Sequence, residues 1–185
     1  YTLWHTLSLH DALPIYIDYD DGVDLRGVKF RGDSLSSLIY ALQYSNLSGA
    51  DLRSINFGRV NLDGCNLSSA KLNKATLWRV GLYRANLSDA NLTGARLQGL
   101  SFVKANLKGA NLSRTRLREI HFDAADLSGA NFTNARICDF VSFNEANLTK
   151  VNFTGLILDV GWDKIDFTEA YFQDTIMPDG SVRSS

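Results

Sequence analysis

The side chains that carry most protein chemistry are sparse here: three histidines and two cysteines in 185 residues. His5 and His10 fall within the first fifteen residues, set apart below, which leaves His121 as the imidazole available for acid–base work. Acid–base or nucleophilic catalysis needs a base within hydrogen-bond reach of a Ser, Cys or carboxylate partner. No Ser/His/Asp, Cys/His or metal-ligand pattern can be assembled around His121 from the sequence, so it reads as a solvated surface residue. Cys65 stands where a small apolar residue recurs and is expected to act as a modest hydrophobe. Cys138 falls where the spacing of the chain slips, and no neighbour in sequence marks it as an activated thiolate. Two cysteines make neither a disulfide framework nor a zinc pattern, and the glycines sit at turns, not in a phosphate loop. The sequence therefore predicts a non-enzymatic protein with no catalytic residue, metal site or cofactor.

Arginine is the residue type whose placement points to a site. Residues 51–118 hold twelve Lys/Arg against three Asp/Glu, a balance of +9, whereas residues 119–185 hold four against eleven, or −7. Residues 16–50 contribute three against five, so the chain from residue 16 is neutral overall yet electrically polar along its length. The candidate partner-binding residues are Arg59, Arg79, Arg96, Arg116, Arg118 and Arg136, together with Arg84 and the outward aromatics Trp78 and Tyr83. Exposed arginine and aromatic groups are the usual anchors of an interface. Arginines stacked on neighbouring parallel strands also repel one another, so the row costs stability unless it is paired or screened.

A regular scaffold must position these side chains. From residue 45 a Leu, Phe or similar residue recurs every fifth position: Leu47, Leu52, Phe57, Leu62, Leu67, Leu72, Leu77, Leu82, and on to Ile137. Ala or another small apolar residue usually stands two positions before it, with Asn, Asp, Arg or Lys between, as in Ala85-Asn86-Leu87-Ser88-Asp89. A period of five matches neither the helical 3.6 nor a continuous strand, but it fits a short extended piece followed by a corner. Alternation in the extended piece sends the small residue and the Leu inward and the Asn outward. The next two residues, rich in Ser, Gly, Asn, Thr and Asp, supply the turn. A second period gives the number of pentads in a coil. Larger inward residues stand at Val60, Val80, Leu100 and Ile120, and Asn46, Asn66, Asn86 and Asn106 keep the same twenty-residue spacing. Four pentads per coil predict a parallel solenoid of square cross-section, with strands about 4.8 Å apart and right-handed by crossover chirality. The step from Ile137 to Phe143 is six residues, and that from Leu158 to Trp162 is four. The two are expected to cancel at the corner between the third and fourth sides.

These residues resemble the pentapeptide-repeat family, whose pattern is small–Asn/Asp–Leu/Phe–x–x, over residues 45–175. The resemblance implies an all-β, right-handed quadrilateral β-helix, a fold that the two periods predict independently. It is bacterial and cyanobacterial in flavour, and some members protect DNA gyrase by imitating duplex DNA. Mimicry of that kind needs a strongly anionic rod, which the +9 segment opposes.

Residues 1–15 contain the run Thr6 to Ile15, which resembles a translated sequencing adapter, and are expected to be an artefact that hides the true N-terminus. Residues 16–44 are expected to form an N-terminal cap, with Asp33-Ser34 and then Leu35, Leu38, Ile39 and Leu42 at helical spacing. The competing reading makes Val23-Asp24-Leu25 and Val28-Lys29-Phe30 two degenerate pentads of an extra coil. Residues 176–185 are expected to be a tail over the last coil. The leading functional expectation is a scaffold that binds a protein partner through an outer face. The DNA-mimic gyrase protector is the first alternative, and binding of an anionic ligand or nucleic acid by the 51–118 segment is the second. Nucleic acid ranks low because aromatic interleaving is thin. No apolar run has membrane-spanning length, the cytoplasm is the default compartment, and end-to-end pairing into a homodimer is the expectation for self-association.

Overall fold

Each pentad buries two side chains and turns a corner. In the computed structural model, which describes residues 17–18, 22–29 and 42–185, Ala85 and Leu87 are fully buried while Asn86 between them faces out. The Ala90 N–H then donates to the Leu87 carbonyl at 3.0 Å, closing a turn whose third residue, Asp89, has φ 56°. The same left-handed conformation recurs at Gly49, Lys74, Lys104, Gly109, Arg114 and Glu145. A non-glycine residue there costs roughly 1 kcal/mol, which the coil overrides because the turn is anchored by buried residues on either side of it, Leu87 and Ala90 in this pentad.

Successive coils pair in parallel. Asn46, Asn66, Asn86 and Asn106 bridge in sequence and continue through Asp126, Asn147 and Tyr171. Within one rung the Leu67 N–H donates to the Asn86 carbonyl at 2.6 Å, and the Asn86 N–H donates to the Cys65 carbonyl at 2.8 Å. Sides are numbered from this column: the first holds Asn86, the second Asn91, the third Arg96 and the fourth Ser101. The Asn column is mainly a corner device. Each side-chain oxygen accepts the backbone N–H two residues on, at 3.2 Å from Ser48 to Asn46, 3.1 Å from Ser88 to Asn86 and 3.0 Å from Lys108 to Asn106. The rung-to-rung ladder is sparser, with Asn86 Nδ2 donating to Asn66 Oδ1 at 3.3 Å and Asn147 Nδ2 to Asp126 Oδ1 at 3.2 Å.

A short antiparallel pair, β1 (Ile17–Asp18) and β2 (Gly22–Val23), precedes the coils. The third side carries the most regular strands. These are β3 (Asn56–Gly58), β4 (Thr76–Trp78), β5 (Arg96–Ser101), β6 (Arg116–His121) and β7 (Arg136–Ile137), followed by β8 (Val141–Ser142) on the fourth side and β9 (Ile157–Leu158) on the third. β5 and β6 run straight through the corner between the third and fourth sides, with Gly99 and Glu119 at positive φ. Both register slips fall at that corner, but they add where cancellation was expected. Arg136 pairs with Ile157 on the third side and Val141 with Ile165 on the fourth. One extra residue enters near Phe140. Four more enter around the 3₁₀ turn Trp162–Lys164, before β10 (Ile165–Asp166). One and four make a whole pentad, so the five-residue frame resumes although the chain has fallen one side behind. Trp162 is therefore 53% exposed instead of pointing inward, and Phe167 stacks on Phe143 of the fourth side.

The core changes character along the axis. On the fourth side Leu62 and Leu82 give way to Phe102, Phe122, Phe143 and Phe167, stacked at centroid distances of 5.0, 5.2 and 5.2 Å. Phe132 and Phe153 of the opposite side meet this column edge-on, at 5.8 Å from Phe122 and 5.8 Å from Phe143 respectively. At the N-terminal end Asp24 bridges Asn46 and Lys29 bridges Asp51, and Leu25 is buried, so these residues lie on the stack of coils. The helix expected over Asp33–Leu42 lies outside the described residues except at Leu42, which is buried. At the other end β11 (Thr175–Ile176) pairs antiparallel with β12 (Val182–Arg183), while Ile176 also bridges Asn152 of the preceding coil.

Candidate functional site

Three outward columns make the third side. The residue between the two inward ones runs Asn56, Thr76, Arg96, Arg116, Arg136 along the axis. The residue after the inward Leu runs Gly58, Trp78, Gln98, Arg118, and the corner column holds Arg59 and Arg79. The twenty-residue period thus carries seven of the nine sequence-chosen residues, Arg59, Trp78, Arg79, Arg96, Arg116, Arg118 and Arg136, to one side and its edge. Tyr83 and Arg84 stand one corner further on, at the far end of the fourth side, where the Arg84 guanidinium lies 5.1 Å from the Tyr83 ring centroid. They are neighbours of the group and not members of it.

Two environments divide this surface. At the N-terminal end Trp78 is half-buried, with the Arg59 and Arg79 guanidiniums 4.8 and 5.2 Å from its ring centroid. Gly58 on the preceding coil leaves room for the indole: a Cβ there would come within 3.2 Å of the ring. Toward the C-terminus a depression of about 340 Å³ is lined by Arg96, Leu97, Gln98, Arg116, Arg118, Cys138 and Asp159. Arg136 closes its far edge by gripping Asp159, with Nε 2.8 and 2.7 Å from the two carboxylate oxygens and Nη2 2.6 Å from one of them. That grip holds the Asp159 carboxyl below the usual range and raises Arg136. Among the described residues Arg96, Arg116 and Arg118 make no salt bridge, whereas Arg26, Arg53 and Arg136 each have a carboxylate partner at 2.6–2.7 Å. Asp159 was not legible as part of the site, because it lies beyond the one-residue slip near Phe140, where counting by twenty finds the wrong neighbour.

The remaining chemistry-bearing groups are quieter. Burial pushes the Cys65 thiol up to about 12, and its Sγ donates to the Leu42 carbonyl at 2.6 Å. Cys138 is raised too, by burial first and then by its hydrogen bond with Asp159, against a smaller lowering by Arg116. One cluster escaped the sequence reading: Ser142 donates to Asp123, and His121 Nδ1 lies 3.3 Å from the other Asp123 oxygen. The carboxylate stands between the hydroxyl and the imidazole, and Ser142 is only 3% exposed. The order is therefore wrong for a histidine to activate the serine. Among the described residues no group of His, Cys, Asp and Glu could hold a metal ion, and no helix is long and apolar enough to cross a membrane.

Comparison with known proteins bears on the whole scaffold. A family model described as pentapeptide repeat region matches residues 75–153, and one described as pentapeptide repeats (8 copies) matches residues 42–79. No curated protein matches. Among solved structures, HetL, a pentapeptide repeat protein involved in heterocyst differentiation regulation from the cyanobacterium Nostoc sp., is 26% identical. Its alignment covers 86% of this chain and 83% of that one, with a TM-score of 0.53. A pentapeptide repeat protein of the Arabidopsis thaliana thylakoid lumen is 28% identical over 56% of this chain and 65% of that one, with a TM-score of 0.30. QnrB1, a plasmid-mediated fluoroquinolone resistance protein, is 15% identical over 86% and 83%, with a TM-score of 0.34. The matched residues are those whose inward pairs and corners build the coils, and the chain belongs to the pentapeptide-repeat proteins.

Proposed function

We propose that this rod is a non-enzymatic scaffold that docks a protein partner on its third side, from the Arg59–Trp78–Arg79 edge to Arg118. The observation that carries the reading is the row of Arg96, Arg116 and Arg118 on adjacent strands, none of which makes a salt bridge among the described residues. Arg26, Arg53 and Arg136, by contrast, each hold a carboxylate. A row of unpaired like charges costs stability in the free rod, and an acidic partner surface removes that cost on docking. Long-range attraction to such a surface also raises the association rate. A duplex-DNA mimic needs the opposite sign of charge along this segment, whose balance over residues 51–118 is +9.

The reading is tested by affinity capture with the wild-type rod and with a variant carrying Arg96→Gln, Arg116→Gln and Arg118→Gln. A partner captured by the wild type and lost by the variant is expected. Equal retention by the two would refute the assignment of this side.

A further inference from the structure

The depression beside Arg96, Arg116 and Arg118 has the shape and charge of a site for one compact anion, and we propose that it receives a phosphoryl group carried by a phosphoserine or phosphothreonine of the partner. This rests on the docking reading above and narrows it to a chemistry. Arg96 and Arg116 sit on paired strands, so their backbones are about 4.8 Å apart, and Arg118 lies two residues along the strand from Arg116, about 6.7 Å away. Arginine side chains are long enough to close distances of that order onto a single point. Leu97 and Cys138 contribute to the lining, Gln98 stands beside Arg118 on the preceding coil, and Arg136 with Asp159 forms the C-terminal edge.

Two features favour a phosphoryl group over a carboxylate. Each guanidinium presents a planar fork of N–H donors, and a tetrahedral phosphomonoester offers three acceptor oxygens, one to each fork. A carboxylate offers two oxygens in one plane and serves two forks. A phosphomonoester also carries a charge of about −2 at neutral pH, which offsets more of the repulsion within the triad than a single negative charge does. Asp159 would repel an anion if it were free, but both of its oxygens are held by Arg136. The anion is thereby directed toward the Arg96 end. A nucleic acid fits less well: the Trp78 ring already has two guanidiniums against it and an edge on Gly58, so a base has to displace them to stack.

The test follows the arginine Nε–Hε signals of the full chain by NMR during titration with a capped Ala-pSer-Ala peptide. The unphosphorylated peptide, an Ala-Glu-Ala peptide, inorganic phosphate and vesicles containing phosphatidate serve as parallel arms. The phosphopeptide is expected to move Arg96, Arg116 and Arg118 saturably while Arg53, already paired with Asp51, stays in place. Inorganic phosphate moves the same three signals. Arg116→Gln is expected to weaken the phosphopeptide about tenfold, and Arg116→Lys, which keeps charge but loses the fork, to weaken it by less. Asn56 and Thr76 occupy the same station on earlier coils, so neither substitution threatens the fold. Equal affinity for the Glu peptide overturns the proposal, as does a shift spread evenly over all exposed arginines. Binding to the vesicles without binding to the peptide overturns it in favour of a membrane. If the triple variant loses its captured partner while the phosphopeptide moves nothing, this inference falls and the docking surface stands.

Discussion

Replacing Phe122 with leucine tests whether the stacked rings hold the C-terminal coils together or merely fill them. Leu62 and Leu82 occupy the same fourth-side station on earlier coils, so leucine fits the backbone there. Phe122 is fully buried and stacks on Phe102 at 5.0 Å and on Phe143 at 5.2 Å, with Phe132 edge-on at 5.8 Å. The smaller side chain gives up about 1 kcal/mol of apolar burial, and each lost ring pair adds about 0.5–1.5 kcal/mol. With three pairs lost and some relaxation of neighbours, Phe122→Leu is expected to destabilise by about 2–4 kcal/mol. Phe122→Ala is expected to exceed it by the cost of the cavity. Equilibrium unfolding in guanidinium, followed by far-UV circular dichroism, gives the difference from the shift of the midpoint at constant slope. Leu82→Ala, expected to cost about 2–5 kcal/mol, serves as the control that the transition reports on the core. If Phe122→Leu unfolds within about 0.5 kcal/mol of the wild type while Leu82→Ala does not, the ring column adds nothing beyond bulk and the argument fails.

Four further outcomes follow from the corners and the buried thiol. Lys104 holds φ 59°, so Lys104→Gly is expected to raise stability by about 1 kcal/mol. Gly109→Ala is expected to lower it, because at φ 67° its Cβ would meet Asp89 Oδ1 at 2.5 Å; thermal melts of the two variants check both signs. Asn106→Ala removes the acceptor of the Lys108 N–H and is expected to cost about 1 kcal/mol in the same melts, whereas Asn106→Asp keeps the acceptor, as Asp126 does one coil on. Cys65 has a folded pKa of about 12 against an ordinary value of 9.0. Its contribution is present in full below pH 9 and is lost as pH rises from there toward 12. Cys65→Ala, matching Ala85 and Ala105 at the same station, is expected to flatten the alkaline limb of the stability–pH curve. An unchanged limb would place that loss in other groups.

Much of the scaffold was legible because one residue in five is forced to a single face. Leu at each fifth position and the twenty-residue recurrence of Val60, Val80, Leu100 and Ile120 suffice to give the square coil and the column that unites Arg96, Arg116 and Arg136. What escaped is whatever periodicity cannot register. Insertions of one and four residues sum to a pentad, so a five-residue pattern returns to phase while the chain lags by a side, and Trp162 looks inward on paper. The Asp159 grip on Arg136 depends on the one-residue slip alone, which sets Ile157 beside Arg136 and Leu158 beside Ile137. Along the Asn column the i+2 backbone N–H is nearer than the amide of the next rung and is fixed by the turn itself, which a spacing of twenty does not reveal. The Ser142–Asp123–His121 contact joins residues on adjacent coils across the first slip, where counting by twenty gives the wrong neighbour.

The hairpin at the C-terminal end also covers part of an open edge. A parallel stack is an open template: any edge of its last coil with free N–H and C=O groups invites another strand. On the second side that edge is occupied, since β11 gives its inner edge to Asn152 and its outer edge to β12. Ser185 extends the cover by donating to the Phe172 carbonyl at 3.0 Å, while the Arg183 guanidinium lies 3.8 Å from the Phe172 ring centroid. A further coil must register on all four sides at once, so reversing the chain on one side is enough to stop the lattice from growing. Removal of residues 178–185 is expected to uncover that edge, with coil-on-coil addition as the outcome to watch by light scattering.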